Sequence, residues 1–246
     1  MLDYFKFRDK KTSEFNAYVA NGDVFDSPTR KIEPIVIPGR NGTLTPINSD
    51  TFENQKITYN CYVKDHAREN ISKLLAYLNS FNGYQKLEDT LRADCYRLAR
   101  FNGEFKANIN GNKGATFSVS FDCQPQKFLK IGLEWIKKEN VKEFKIENNT
   151  AYSSKPIIRI AKATKKDITI SVGNEIIKIQ ATGELDKFMI EIDCEKCQGY
   201  SPKNGDVYSL IDFSQASGIS LKANSDTMIK IDGCKNIEVQ PRWFII

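Results

Sequence analysis

Along most of this chain apolar residues recur at every second position, the period of a strand with one buried face. Ile57, Tyr59, Cys61 and Val63 alternate with Thr58, Asn60 and Tyr62, and Phe117, Val119 and Phe121 repeat the pattern further on. A shorter strand is predicted at Tyr4-Phe5-Lys6-Phe7, closed by a turn in the polar run from Arg8 to Thr12. Tyr18-Val19-Ala20 leads into Asn21-Gly22, a dipeptide suited to reversing a hairpin. After Val63 the period lengthens. Ala67, Ile71, Leu74, Leu75 and Leu78 form one stripe, which predicts an amphipathic helix of about four turns at 3.6 residues each. Asp65 is the expected N-cap and Asn82-Gly83 the stop. From Tyr84 the strands return. Tyr96-Arg97-Leu98-Ala99 is followed by a turn at Asn102-Gly103, then by Phe105, Ala107 and Ile109, and the chain reverses through Asn110-Gly111-Asn112-Lys113-Gly114. Strands in this succession are expected to pair antiparallel, the arrangement that keeps connections short.

The second half is a run of brief alternations: Phe144 and Ile146; Ile158 and Ile160; Ile168, Ile170 and Val172; Ile177 and Ile179; Phe188, Ile190 and Ile192; Ile219 and Leu221; Ile229 and Ile231; Ile237 and Val239. Gly173-Asn174 separates two of them as a two-residue hairpin loop. Short strands at regular spacing predict a sandwich or barrel. A short helix over Ile131 to Asn140 is the one helical candidate here. Pro125, with Lys127 and Lys130 behind it, marks a boundary between the halves.

One stretch stands apart in its turn chemistry. Ile37-Pro38-Gly39-Arg40-Asn41-Gly42-Thr43-Leu44 places a proline, with φ already fixed, before a glycine that can supply the positive φ of a type II turn. Asn41-Gly42 then offers a second reversal, of type I′. Together they predict a rigid protruding loop, although the same chemistry also serves an ordinary β-hairpin. Pro34 and Pro38 each lack a ladder donor, so Ile32-Glu33-Pro34-Ile35-Val36-Ile37 belongs at an edge or an interface.

Composition narrows the function classes. A chain of 246 residues with 40% hydrophobic content can bury a core as one large or two ordinary domains. No stretch is apolar for long enough to cross a bilayer, and Met1-Leu2-Asp3-Tyr4-Phe5-Lys6 lacks the layout of a secretory signal. A soluble protein made inside a cell, without membrane insertion, is expected. A net charge of +5 with interspersed signs falls short of a nucleic-acid footprint. Of six cysteines, Cys61, Cys95 and Cys123 sit in strands as small buried hydrophobes. Cys194-Glu195-Lys196-Cys197 is the one CxxC, and without a second pair or a usable histidine it reads as a loop bearing two thiols. His66, the single histidine, falls in the first helical turn and is expected to be exposed. No nucleophile elbow, Walker loop or dinucleotide fingerprint is present. Glu88 with Asp89, and Glu184 with Asp186, are carboxylate pairs in polar turns. Neither an enzyme, a cofactor nor a metal site is expected.

The loop from Ile37 to Leu44, the alternating strand and the helix after it resemble the opening of the distal tail proteins of phages with long, non-contractile tails. Tyr-Arg-Leu-Ala at Tyr96–Ala99 and Phe-Ser-Val-Ser-Phe-Asp-Cys-Gln-Pro at Phe117–Pro125 resemble the end of that family's first domain. Asn148-Asn149-Thr150 ahead of Lys155-Pro156-Ile157-Ile158, and Ile237-Glu238-Val239-Gln240-Pro241-Arg242-Trp243, resemble the first and last strands of its galectin-like domain. The loop Lys222-Ala223-Asn224-Ser225-Asp226 departs from the Pro-Gly-x-Asn turn found in related chains, which puts its shape in question.

The resemblance implies a mainly β chain with one amphipathic helix: an N-terminal ring-forming domain over residues 1–130 and a C-terminal galectin-like β-sandwich over residues 131–246. It further implies a homohexameric ring at the distal end of the virion's tail, joining the major tail tube protein to the tail-associated tip protein. Receptor-binding or baseplate proteins are further expected partners, with DNA passing through the channel without specific binding. Pro34, Pro38, Gly39, Arg40, Asn41, Gly42 and Leu44 are the residues expected at subunit or tube contacts. The alternative is a carbohydrate-binding adsorption module in the second half that recognises a host-surface glycan. That half lacks the histidine of galectin chemistry, and Trp243 is expected in a strand that buries it. A fold does not by itself carry a function.

Overall fold

The computed structural model describes residues 2–32, 34–44, 51–110, 114–163, 166–181, 189–201, 205–216 and 218–246, apart from the side chains at 110, 161–163 and 206. The expected reversal at Asn110–Gly114, the pair Glu184 and Asp186, and Phe188 therefore lie wholly or partly outside the described residues. The chain divides into two compact units, one extending to Lys127 and including Ile246, the other running from Phe128 to Ile245.

In the first unit the strands are β1 (Phe5–Phe7), β2 (Lys10–Lys11), β3 (Ala17–Gly22), β4 (Ile35–Val36), β5 (Thr43–Leu44), β6 (Gln55–Val63), β7 (Gln85–Asp89), β8 (Cys95–Asn110) and β9 (Gly114–Leu129). One sheet has the order β2-β1-β7-β8-β9-β6-β3, and β4 with β5 forms a separate ribbon. The backbone of the sheet is the antiparallel pairing of β6 with β9, in register from Gln55↔Cys123 to Val63↔Ala115. Alternation places Ile57, Tyr59, Cys61 and Val63 on the buried face, as their spacing predicts. The helix α1 (Ala67–Asn79) buries Ala67, Ile71, Leu74 and Leu78 in the same core as Phe5, Phe7, Tyr59 and Phe121. Those aromatic rings meet at centroid distances of 4.9 to 6.2 Å, stacked or edge-on, geometries favoured by the ring quadrupole.

Three local expectations give way to longer-range pairing, and the ends of the helix also differ from those expected. Lys10 and Lys11 form a strand against β1, so the polar run after Phe7 turns only at Arg8 and Asp9. Asn21-Gly22 does not reverse the chain: β3 continues past a register shift to pair Asn21 with Asn60 and Gly22 with Tyr59. Glycine is needed at position 22 for room, because a Cβ there would lie 2.8 Å from the Tyr59 ring. Asn102-Gly103 is likewise absorbed into the sixteen-residue β8, with Gly103 at φ +86 and the Glu104 N–H donating to Asn102 Oδ1 at 3.2 Å. That combination is the signature of a kinked strand. The residue before α1 is His66 at φ +51, not Asp65, and the helix closes at Ser80, before the expected Asn82-Gly83 stop.

The second unit contains β10 (Ile136–Glu139), β11 (Glu143–Asn148), β12 (Ile157–Ala163), β13 (Ile168–Val172), β14 (Glu175–Ile179), β15 (Ile190–Asp193), β16 (Gln198–Ser201), β17 (Gly205–Asp206), β18 (Ile211–Gln215), β19 (Ser225–Asp232), β20 (Cys234–Gln240) and β21 (Phe244–Ile245). Two antiparallel sheets, β10-β20-β12-β15-β16-β17 and β11-β19-β13-β14-β18, bury a common core that includes Ile158, Ile160, Ile192 and Val239 from one and Ile170, Val172, Ile177 and Ile229 from the other. This is the two-sheet sandwich expected from the alternations. Val172 pairs with Glu175 across Gly173-Asn174, and the positive φ at Gly173 (+61) alone is the type II′ pattern.

Asn148 closes one end of the sandwich. Fully buried, it donates to the carbonyls of Tyr152 (3.0 Å) and Leu221 (3.1 Å) and accepts from Thr150 N–H and hydroxyl. Ser154 Oγ donates to Pro241 O at 2.8 Å, tying the same region to the end of the chain. The helix expected over 131–140 is not formed. A 3-10 turn at Lys130–Leu133 leads into β10, whose pairing with β20 captures the segment as an edge strand. Trp243 lies between β20 and β21, not in a strand, and packs half-buried against the core. Ile219 and Leu221 are buried outside any named strand, Leu221 through an isolated bridge to Ser154.

Candidate assembly surface

The excursion between β3 and β6 folds as an antiparallel arm. Its outgoing and returning legs meet through Glu53 N–H to Thr29 O and Lys31 N–H to Thr51 O, both 2.9 Å. The Arg30 guanidinium lies 4.7 Å over the Phe52 ring between them. Further out, Ile35 pairs with Leu44 and Val36 with Thr43. The tip closes when Arg40 N–H donates to Ile37 O at 3.1 Å with Gly39 at φ +80, the type II turn that Pro38-Gly39 predicts. Asn41-Gly42 does not make a type I′ turn, because only Gly42 (φ +78) enters the left-handed region. With the corner already taken at Pro38-Gly39, no two-residue loop remains for it to close.

Every expected contact residue lies on this arm. Pro34, Pro38, Gly39, Arg40, Asn41 and Gly42 are exposed, and Leu44 is half-buried. Beside them stand apolar side chains that the turn chemistry did not single out: Val36 is 72% exposed, Ile35 52% and Ile32 46%. Single exposed hydrophobes are ordinary, but several along one exposed ribbon form a surface suited to burial against another molecule.

A second open feature is the outer half of β8. The strand β7 pairs with it only at Arg97, Leu98 and Ala99, and among the described residues no strand covers that edge beyond Ala99. Phe105 stacks on Phe117 at 4.9 Å and Ile109 is exposed, so this edge combines unpaired backbone with apolar side chains. Such an edge is a template for pairing with another chain. Nearby, a groove of about 470 Å³ is lined by Asn60, Tyr62, Lys106, Asn108, Thr116 and Ser118, among others.

The histidine, carboxylate and thiol candidates among the described residues take the following positions. His66 is exposed at the start of α1. Asp89 accepts from the Tyr59 hydroxyl at 2.9 Å and from Arg92 N–H at 2.7 Å, while Glu88 pairs with Lys86 at 3.2 Å. Burial pushes the Cys61 and Cys123 thiols up to about 12 and holds Cys194 higher still, which keeps them from acting as nucleophiles at neutral pH. Cys194 and Cys197 stand in the turn between β15 and β16, where the Asp193 carboxylate accepts from the N–H groups of Glu195 and Lys196. Among the described residues no group of three or more His, Cys, Asp or Glu could hold a metal ion. None of their helices is long and apolar enough to cross a membrane. On the outward row of the six-stranded sheet, Arg159 bridges Glu191 (2.8 Å) and Glu238 (3.4 Å) and covers the Trp135 ring at 3.9 Å.

No protein-family model and no curated protein matches the sequence. The fold, by contrast, is shared along nearly the whole chain with solved structures. The SPP1 Dit protein (gp 19.1), described as a paradigm of the hub adsorption apparatus in phages infecting Gram-positive hosts, superimposes with a TM-score of 0.74 at 12% identity, covering 97% of this chain and 98% of that one. The phage P2 baseplate in its activated conformation gives TM-scores of 0.62 with calcium and 0.61 with strontium, each at 8% identity and 97% coverage of both chains. The chain thus has the fold of these tail-hub and baseplate components: a mainly β chain with one α-helix among the described residues, its sheet-and-helix unit followed by a sandwich.

Proposed function

We propose that this chain is a structural hub component of a phage tail tip that assembles with copies of itself into a closed ring. The observation that carries this reading is the fold shared with the SPP1 Dit hub protein over 97% of the chain. Two features of the first unit support self-assembly: the exposed apolar arm and the uncovered edge of β8. They are different surfaces, so a contact joining one to the other is heterologous, and repetition of such a contact closes into a ring when the rotation permits. Six subunits, the tail tube on one side and the tip protein on the other, placement at the distal end of the virion tail and a purely structural, non-catalytic role complete the reading. Pro34, Pro38, Gly39, Arg40, Asn41, Gly42 and Leu44 are assigned to subunit or tube contacts.

Native mass spectrometry and negative-stain imaging of the purified full chain test it. A discrete hexamer seen as an annulus is expected. A strict monomer at the highest concentration reached would overturn the ring.

A further inference from the structure

Two cations are buried in the first unit without a carboxylate at ion-pair distance among the described residues. Arg97 of β8 is 3% exposed and Lys127 near the end of β9 is 2% exposed. Ionised groups removed from water are strongly penalised unless their donors are matched, and here the matching acceptors are neutral. Arg97 Nη2 donates to the carbonyl of Val24 and its Nη1 lies 3.5 Å from Gln55 Oε1. Lys127 Nζ donates to the carbonyl of Asp26 at 3.2 Å. Burial, with Arg97 and Arg92 nearby, pushes the Lys127 ammonium below the usual lysine range. The cost of keeping it charged there is real.

The identity of the acceptors gives the pair a meaning beyond packing. Val24 and Asp26 lie on the chain leaving β3 for the arm, and Gln55 is the first residue of β6 after the arm returns. One guanidinium therefore holds both ends of the excursion, and the lysine adds a second hold on the outgoing end. The Val24 side chain is buried in the core, and Asp26 N–H donates back to Asp23 O at 3.3 Å, so the take-off segment is a fixed turn. Beyond it the described residues of the arm are mostly solvent-exposed, Pro28, Leu44 and Phe52 excepted, so the base is the main described hold on its direction.

We infer that Arg97 and Lys127 are positioning residues that clamp the base of the arm and set the direction in which it leaves the sheet. A planar guanidinium can reach two legs at once, and a single ammonium in its place cannot. The consequence for assembly rests on the ring reading above. The clamp itself does not, because it is a property of one subunit.

The test is hydrogen exchange on Arg97→Lys and Lys127→Met in dilute, dissociated protein, followed by native mass spectrometry of the same samples at high concentration. The N–H groups of Asp26, Lys31 and Glu53 report on the arm's base, and those of β6 paired with β9 report on the sheet. Exchange at the base is expected to rise about tenfold or more in each variant, with the sheet little changed and, where wild type forms rings, ring yield reduced. Unchanged exchange at the base, or a rise of equal size throughout the sheet, would overturn the clamp. A wild type that never associates would defeat the ring reading and still leave the exchange comparison decisive. Should Arg97→Lys fail to fold, Gln55→Leu removes the acceptor on the returning leg and is read the same way.

Discussion

The hydroxyl of Tyr59 donates to Asp89 Oδ2 at 2.9 Å from a ring wholly buried against Phe5 and Phe121. It joins the middle of β6 to the end of β7, two strands separated in the sheet by β8 and β9. Burial first, and then the Asp89 charge, push this phenol well above the usual tyrosine range, so it remains a donor. Tyr59→Phe keeps the ring and removes the donor, leaving Asp89 with the Arg92 N–H. A loss of about 1–3 kcal/mol is expected. Urea unfolding measures it, and an unchanged midpoint would show that water replaces the hydroxyl at no cost.

Gly22 lies against the same ring. In Gly22→Ala the new Cβ would stand 2.8 Å from Tyr59 Cδ1 and 3.3 Å from Thr58 O, against a side chain with no room to retreat. Overpacking of this kind costs about 1–3 kcal/mol. The melting temperature should fall accordingly, whereas an unaltered value would mean that β3 shifts freely.

The buried thiols make stability fall at alkaline pH. In the folded chain Cys61 and Cys123 titrate at about 12, against about 8.5 for a thiol in an unfolded chain. Between those values the native state binds more protons than the unfolded one. The thiols' contribution is therefore complete below the unfolded value and is lost as pH rises toward the folded one. Each contributes a slope of about −1.4 kcal/mol per pH unit. Urea titrations from pH 8 to 10 should show the decline, and Cys61→Ala with Cys123→Ala should make it shallower, the remainder coming from the other buried thiols such as Cys194.

The apolar arm separates folding from association. Val36 is 72% exposed, so Val36→Asp should leave the monomer's stability within about 0.5 kcal/mol. Burying that carboxylate in a subunit contact should weaken self-association about tenfold or more, about 1.4 kcal/mol. Analytical ultracentrifugation distinguishes this from the opposite result, rings of undiminished stability, which would move the contact off the arm.

Several elements were readable from the chain alone because their cause is local. A pleated strand with one buried face forces the alternation of Ile57 through Val63, and a helix on a sheet forces the stripe from Ala67 to Leu78. Pro38-Gly39 carries its own turn, since the ring of one residue and the missing Cβ of the other fix the geometry in place. Asn21-Gly22 and Asn102-Gly103 have comparable turn chemistry and yet stay within strands, because β6 continues to offer β3 a partner and β9 lies beside β8. Turn propensity of about a kilocalorie yields to a ladder of hydrogen bonds and a buried face, and that competition is decided far away in sequence. The same distance hides Arg97 and Lys127. As residue types they belong on the surface, and only the tertiary fold, which brings the carbonyls of Val24 and Asp26 to them, turns them into buried donors holding the arm.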